Sequence, residues 1–302
     1  MNQFLAKAFN LPTTTVSLSI AAVFFNLSAT AATFTPFSFV TNVTASPNLS
    51  SNPNLLNDPT LDVRLDSVSW GGITVNNFEV VSTGRVLQND TYFNTADGNT
   101  YGILHSGHGP NTESDPLVEE GPAKPNPSDL DIANSLGNLN LNSLLVTREN
   151  GNTASIEVSF ANPVNTFFFW ERGGTPGSSV AGDSDLLVEA LSDDGSTVLA
   201  TYKILRANYT KAGYNISTIV PPVLNNGPFN IGSIGISLGD ITTKTLRLTS
   251  TNNNLGAANG DNGPDFKVVA ANVTVPEPGS LMALLLATVL GGLHKSKNWK
   301  SD

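Results

Sequence analysis

Short apolar runs broken by turn residues dominate the middle of this chain, and they decide what it can fold into. Leu61 to Trp70 (LDVRLDSVSW) alternates, with Leu61, Val63 and Leu65 on one face and Asp62, Arg64 and Asp66 on the other. That period of two marks a half-buried strand. Gly71-Gly72 is a two-residue turn signal, and Ile73 to Val81 (ITVNNFEVV) reads as the returning strand. Ala154 to Phe160 (ASIEVSF) alternates in the same way, and Leu186 to Leu191 and Val198 to Leu205 flank a turn built on Asp194-Gly195. Further strands are predicted at Ala32–Val43, Val164–Trp170, Ile231–Leu238, Thr245–Thr249 and Phe266–Val275. No middle segment keeps helical periodicity over several turns. The best helical candidate is a short turn capped by Asp129 and running through Ser135, with Leu139, Leu141 and Leu144-Leu145 as the alternative start of a strand. The expectation is all-β, a two-sheet sandwich or jelly-roll-like domain over residues 32–274, with roughly ten to twelve strands.

FFFWERGG, Phe167 to Gly174, is the most conspicuous internal stretch. Alternation puts Phe167 and Phe169 on one face and Phe168 and Trp170 on the other. Two apolar faces mean a central strand covered on each side, or one side lined for a ligand. Trp170 then either packs in the core or stacks on a sugar ring, as Tyr92 and Tyr101 could elsewhere. Between Tyr92 and Lys124 lies a long Gly-rich, acidic stretch, which reads as a loop.

Charge and cysteine usage exclude several classes. The chain carries −10 overall and has no cysteine. Residues 32–278 hold 24 Asp/Glu and 11 Lys/Arg, a net charge of −13. Such a surface repels phosphate backbones and anionic head groups, so nucleic acid and peripheral membrane binding are poor readings. Disulfides and thiolate metal sites are excluded outright, and the domain must be held by its core.

Both ends read as targeting segments. Lys7 precedes an apolar stretch, Val16 to Leu27, and then SATAA, with Ala29 and Ala31 at the small-residue positions of a signal-peptidase site before Ala32. Residues 1–31 are therefore expected to be a secretory signal peptide, handed to the translocon and cleaved by signal peptidase, rather than a buried helix. At the other end the apolar run Leu281 to Leu293 is 13 residues long, short of the roughly 20 that a stable span needs. Lys295, Lys297 and Lys300 follow within residues 294–302 and hold that end inside by the positive-inside rule. A transient stop in the membrane through residues 281–293 suits this length better than a plain tether.

Directly before that run stand Val275, Pro276, Glu277 and Pro278, then Gly279 and Ser280. Two prolines keep residues 275–280 extended, as a protease or transpeptidase cleft requires. The layout of V-P-E-P, short apolar helix and basic finish over residues 275–302 resembles the PEP-CTERM sorting signal, with Lys and His where that signal usually carries an Arg cluster. The resemblance implies that an exosortase takes this chain as its substrate. LDSVSWGGITVNNF, SLGNLNLNSLL, FFFWERG, GSIGISLGDI and NGPDFKVV together resemble a family of exosortase-dependent surface proteins over most of residues 33–274. That resemblance implies an exported, non-enzymatic protein of the surface or exopolysaccharide matrix in a Gram-negative-type envelope. It transfers no catalytic residue.

The remaining chemistry is thin. His105 and His108, with Glu113, Asp115, Glu119 and Glu120 downstream, are metal-ligand types, but their spacing matches no specific motif. GDSD (182–185), SDDGS (192–196) and NGDNGPD (259–265) offer oxygens for structural calcium, or are simply turns. A glycan-binding module using Trp170, Tyr92 or Tyr101 is the alternative function. A hydrolase using two carboxylates is the third, and the sequence gives no way to choose the pair.

Overall fold

The computed structural model describes residues 32–45, 61–110, 120–148, 152–173, 185–221, 227–251 and 263–274. The expected signal peptide with Ala29 and Ala31, the sorting motif from Val275, the apolar run 281–293 and Lys295, Lys297 and Lys300 lie outside them, as do Glu113, Asp115 and Glu119. Among the described residues no helix is long and apolar enough to cross a membrane.

The first half of the domain contains β1 (Thr35–Phe37), β2 (Val40–Ala45), β3 (Val63–Trp70), β4 (Ile73–Val75), β5 (Val81–Asn89), β6 (Thr91–Asn94), β7 (Asn99–Gly102), β8 (Leu104–Gly107), β9 (Lys124–Pro125) and α1 (Asp129–Leu136). The second half contains β10 (Leu144–Thr147), β11 (Thr153–Val164), β12 (Thr166–Arg172), β13 (Leu186–Leu191), β14 (Val198–Ile204), β15 (Thr210–Ile216), β16 (Phe229–Ser237), β17 (Thr243–Thr251) and β18 (Asp265–Ala271). The fold is an all-β sandwich. Its largest sheet runs β1-β16-β12-β18-β10-β8-β9, with β15 also paired to β16. A five-stranded sheet, β14-β13-β17-β11-β5, covers one face, and the three-stranded sheet β2-β3-β4 covers the other.

The two cores follow from alternation along β12. Phe167 and Phe169 enter the larger core with Ile156, Val158, Val188, Leu246 and Leu248 of the five-stranded sheet. Phe168 and Trp170 enter the second core with Phe39, Val63, Leu65 and Val68. β18 does the same, sending Phe266 and Val268 one way and Val269 and Ala271 the other. A strand apolar on both faces has no stable place except between two layers.

Local sequence explains the details. In β3 the alternation holds through Val63 and Leu65, then slips. Asp66 is an extra residue opposite the step from Asn42 to Val43, and the slip brings Val68 back to the buried face. Gly71 and Gly72 both take positive φ, 52° and 83°, which closes the turn into β4. That returning strand is short, ending at Val75, and a separate strand starts at Val81. The helix is capped by Ser128 rather than Asp129, in a capping box closed by Asp131. It lies against β5 because Gly84 has no side chain, where a Cβ would fall 2.5 Å from Ile132. The hairpin of β13 and β14 forms across the Asp194-Gly195 turn. The stretch 92–124 is not a featureless loop, because it supplies β6, β7, β8 and β9.

Between α1 and β10 the sequence NLNLN turns three asparagines inward. The Asn138 side chain accepts from the amide of Asn140 at 3.0 Å, and Asn140 accepts from that of Asn142 at 2.9 Å. Asn142 accepts from the Val63 amide and donates to the Ser217 carbonyl, both at 2.7 Å. The carboxamides of Asn138 and Asn140 accept from amides of this irregular segment, and Leu139 and Leu141 bond the backbone of β3, so much of its buried backbone is satisfied.

Phe168 is fully buried and meets Phe39, Trp70 and Phe78 edge-on. Phe168→Ala is expected to cost about 3–5 kcal/mol in urea unfolding. Val198→Ala, at a position 42% exposed on β14, is expected to change stability by less than about 0.5 kcal/mol. Equal effects at the two positions would contradict the burial of both β12 faces.

Candidate functional site

Polar chemistry gathers at three places. The first is the end of β12. Antiparallel pairing with β18 sets Glu171 beside the start of that strand. Arg172 donates from Nε and Nη2 to Asp265 Oδ2 at 2.9 and 2.6 Å, and from Nη1 to the Thr218 hydroxyl. Its guanidinium lies 4.8 Å over the Phe229 ring. The Asp265 amide donates to Glu171 Oε1 at 2.8 Å. All three charged side chains are nearly inaccessible. Burial pushes the Asp265 carboxyl up, and the charge of Arg172 pulls it partly back. A buried pair of this kind fixes geometry more than it adds stability, but breaking it strands a charge. The network ties residues 171, 172, 218 and 265 into one corner.

The second place is a pair of carboxyl groups. Asp62, just before β3, is 1% exposed and hydrogen-bonds Glu120. Gly109 crosses Asp62 so closely that a Cβ would lie 1.5 Å from its Oδ1. His108 Nδ1 stands 3.4 Å from Glu120 Oε2 and 2.5 Å from the Gly109 carbonyl. Two carboxyl groups in one hydrogen bond share a proton. Burial first, then the hydrogen bond and charge of Asp62, push Glu120 up to about 9. The structure brings this carboxyl pair together, and residue types alone did not select it.

The third place is the β6–β7 hairpin. Tyr92 and Tyr101 are cross-strand partners with ring centroids 6.2 Å apart. Tyr92 is half-buried against the larger core, with the Arg148 guanidinium 4.7 Å over its ring. The Tyr101 hydroxyl donates to Asp97 Oδ2 at 2.9 Å. Phe93, on the other face of the hairpin, is 62% exposed. Sequence reasoning did not single it out, although alternation opposite Tyr92 was a usable signal.

Trp170 does not belong with these tyrosines. It is 2% exposed, meets Phe39 edge-on, and donates from Nε1 to the Thr41 hydroxyl at 3.0 Å. The β2–β4 sheet covers the face that a sugar would have to reach, so of the two readings of Trp170 core packing holds and the glycan contact is withdrawn.

Among the described residues the candidate cation ligands are not brought together. His105 and His108 part company along β8: His105 Nδ1 is 2.9 Å from the Pro221 carbonyl, and burial holds its imidazole down to about 4. Of the calcium candidates, Asp185 is paired with Lys203 at 2.5 Å and Asp265 with Arg172, while residues 182–184 and 259–262 lie outside the described ones. Asp194 accepts from Ser192 Oγ, Ser196 N and Ser196 Oγ, which satisfies its own turn and lowers it to about 2. Among the described residues no group of three His, Asp or Glu side chains is placed to hold a metal ion.

No protein-family model matches the chain, and no curated protein matches it.

Arg172→Met, which strands the Asp265 carboxylate, is expected to cost about 3–5 kcal/mol in urea unfolding. The double variant Arg172→Met/Asp265→Leu is expected to recover most of that loss, and equal costs for single and double variants would contradict the pairing. A second expectation concerns pH. Glu120 titrates near 4.5 when unfolded and near 9 when folded, so its contribution to stability is complete below about pH 4.5 and is lost as pH rises to about 9. Glu120→Gln keeps the neutral state at every pH. Its thermal midpoint is expected to gain on the wild type steadily across that window, and parallel pH curves would count against the shared proton.

Proposed function

We propose that this chain is an exported, non-enzymatic surface protein whose C-terminal tail is a sorting signal processed by an exosortase. The observation that carries the reading is the order of residues 275–302: Val275-Pro276-Glu277-Pro278, the apolar run Leu281 to Leu293, then Lys295, Lys297 and Lys300. The fold supports it in one respect. β18, the last strand among the described residues, ends at Ala271, so a cut at the motif comes after every described strand. Ala32, just after the expected signal-peptidase site, packs against the larger core, so a cut before it leaves that contact in place. The signal peptide and translocon deliver the domain, residues 281–293 hold it at the membrane, and the exosortase releases it to the surface or exopolysaccharide matrix.

Polysaccharide binding is the second reading. With Trp170 in the core, it rests on Tyr101, half-buried Tyr92 and exposed Phe93 of the β6–β7 hairpin.

The test is the intact mass of native protein from membrane and extracellular fractions. The expected species begins near Ala32 and ends near Pro278. Substituting Pro276, Glu277 and Pro278 by alanine is expected to leave the uncut chain in the membrane fraction. A wild-type mass that runs through Asp302 would make the tail a plain anchor.

A further inference from the structure

Lys267 has no charged partner in a place where a lysine normally needs one. Its side chain is fully buried at the middle of β18, opposite Trp170 of β12. Nζ donates to the Ser135 carbonyl at 2.6 Å and to Asn138 Oδ1 at 2.9 Å. No ion pair among the described residues includes it. Burial holds its ammonium well below the ordinary lysine range and so favours the neutral amine, the form whose lone pair can react.

The group beside it is a carboxamide held in one pose. Asn138 is 5% exposed and sits at the C-terminal end of α1. Its Oδ1 accepts from the Asn140 amide at 3.0 Å as well as from Nζ. Its Nδ2 donates to the Asn134 carbonyl at 2.8 Å and to Ser143 Oγ at 3.4 Å. The Ser135 hydroxyl, fully buried in the same corner, has no hydrogen-bond partner. Gly121 closes the corner, since a Cβ there would lie 2.4 Å from Ser135 Cα and 2.6 Å from Ser143 Oγ. A neutral nucleophile, a carbonyl fixed by a backbone amide and the exclusion of bulk water are the elements of acyl transfer.

We propose that Lys267 and Asn138 become joined by an intramolecular amide bond, with the loss of one ammonia. Nζ bonds to Asn138 Cγ, and the Cγ–Nδ2 bond breaks. The Asn140 amide stabilises the charge that develops on Oδ1. One proton passes from Nζ to Nδ2 as the Cγ–Nδ2 bond breaks, and ammonia leaves. No oxidant or cofactor enters the balance. The bond ties α1 to the central sheet across a separation of 129 residues. In a chain without cysteine it takes the place of a disulfide.

The test is the denatured intact mass of the wild-type protein, followed by peptide mapping. The expected mass is lighter by one ammonia than the sequence between the observed ends. Mapping is expected to give one joined peptide carrying both Asn138 and Lys267. Lys267→Met is expected to restore the full mass and to lower the thermal midpoint, because the crosslink is gone. An unshifted wild-type mass overturns the proposal. So does an ammonia loss without a joined peptide, which reads as Asn138 cyclising onto its own backbone. A Lys267→Met protein more stable than the wild type also overturns it, because relieving an uncrosslinked buried amine has that sign.

Discussion

Every residue of β12, from Thr166 to Arg172, is buried, and the rest of the structure depends on that fact. Hydrophobic burial is worth about 25 cal/mol for each Å² removed from water, and a strand that presents phenylalanines on both faces gains it only between two layers. The five-stranded sheet supplies one layer, and the small β2–β4 sheet supplies the other. The small sheet is more than decoration. Without it Phe168 and Trp170 would be bare, and with it the largest sheet becomes the middle of a sandwich.

A sheet covered on both sides leaves little room for charge, and the polar residues here are arranged accordingly. Arg172 and Asp265 neutralise each other at the end of β12. Asp62 and Glu120 share a proton instead of both ionising. Burial disfavours the ammonium of Lys267, whose Nζ donates to the carbonyl of Ser135 and the side chain of Asn138. These are three different answers to one desolvation problem. Outer faces keep the ordinary pattern, with Glu157 between Arg85 and Arg247 and paired hydroxyls at Ser155–Thr249 and Ser159–Thr245. The unusual chemistry is therefore internal. It serves the integrity of a cysteine-free domain.

Much of this was legible in the residues. FFFW announced a strand buried on both sides, and β13–turn–β14 was readable from Asp194-Gly195. Local patterns fix local structure. The misses have equally physical causes. Trp170 has the chemistry of a sugar platform and of a core residue, and only the position of β2–β4 decides between them. β15, TKAGYNI, alternates, but its inward positions begin with Thr210 and Ala212, too small and polar a signal to read as a strand, and it pairs along β16. Asp62 and Glu120 carry no mark of each other in sequence, and neither do Asn138 and Lys267, because long-range pairing is a property of topology. The sorting motif is the opposite case. On the proposed reading another protein recognises it, so its meaning lies in its order of residues rather than in the fold of the domain.

The central claim is that β12 and β18 form a shared middle on which both outer sheets rest. Native-state hydrogen exchange of residues 32–274, resolved strand by strand, tests it most directly. Amides of Phe167 to Glu171 and of Phe266 to Ala270 are expected to exchange only through global unfolding, and to share the highest protection in the domain. Exchange of these amides at the rate of the edge strands β14 or β9 would contradict the account.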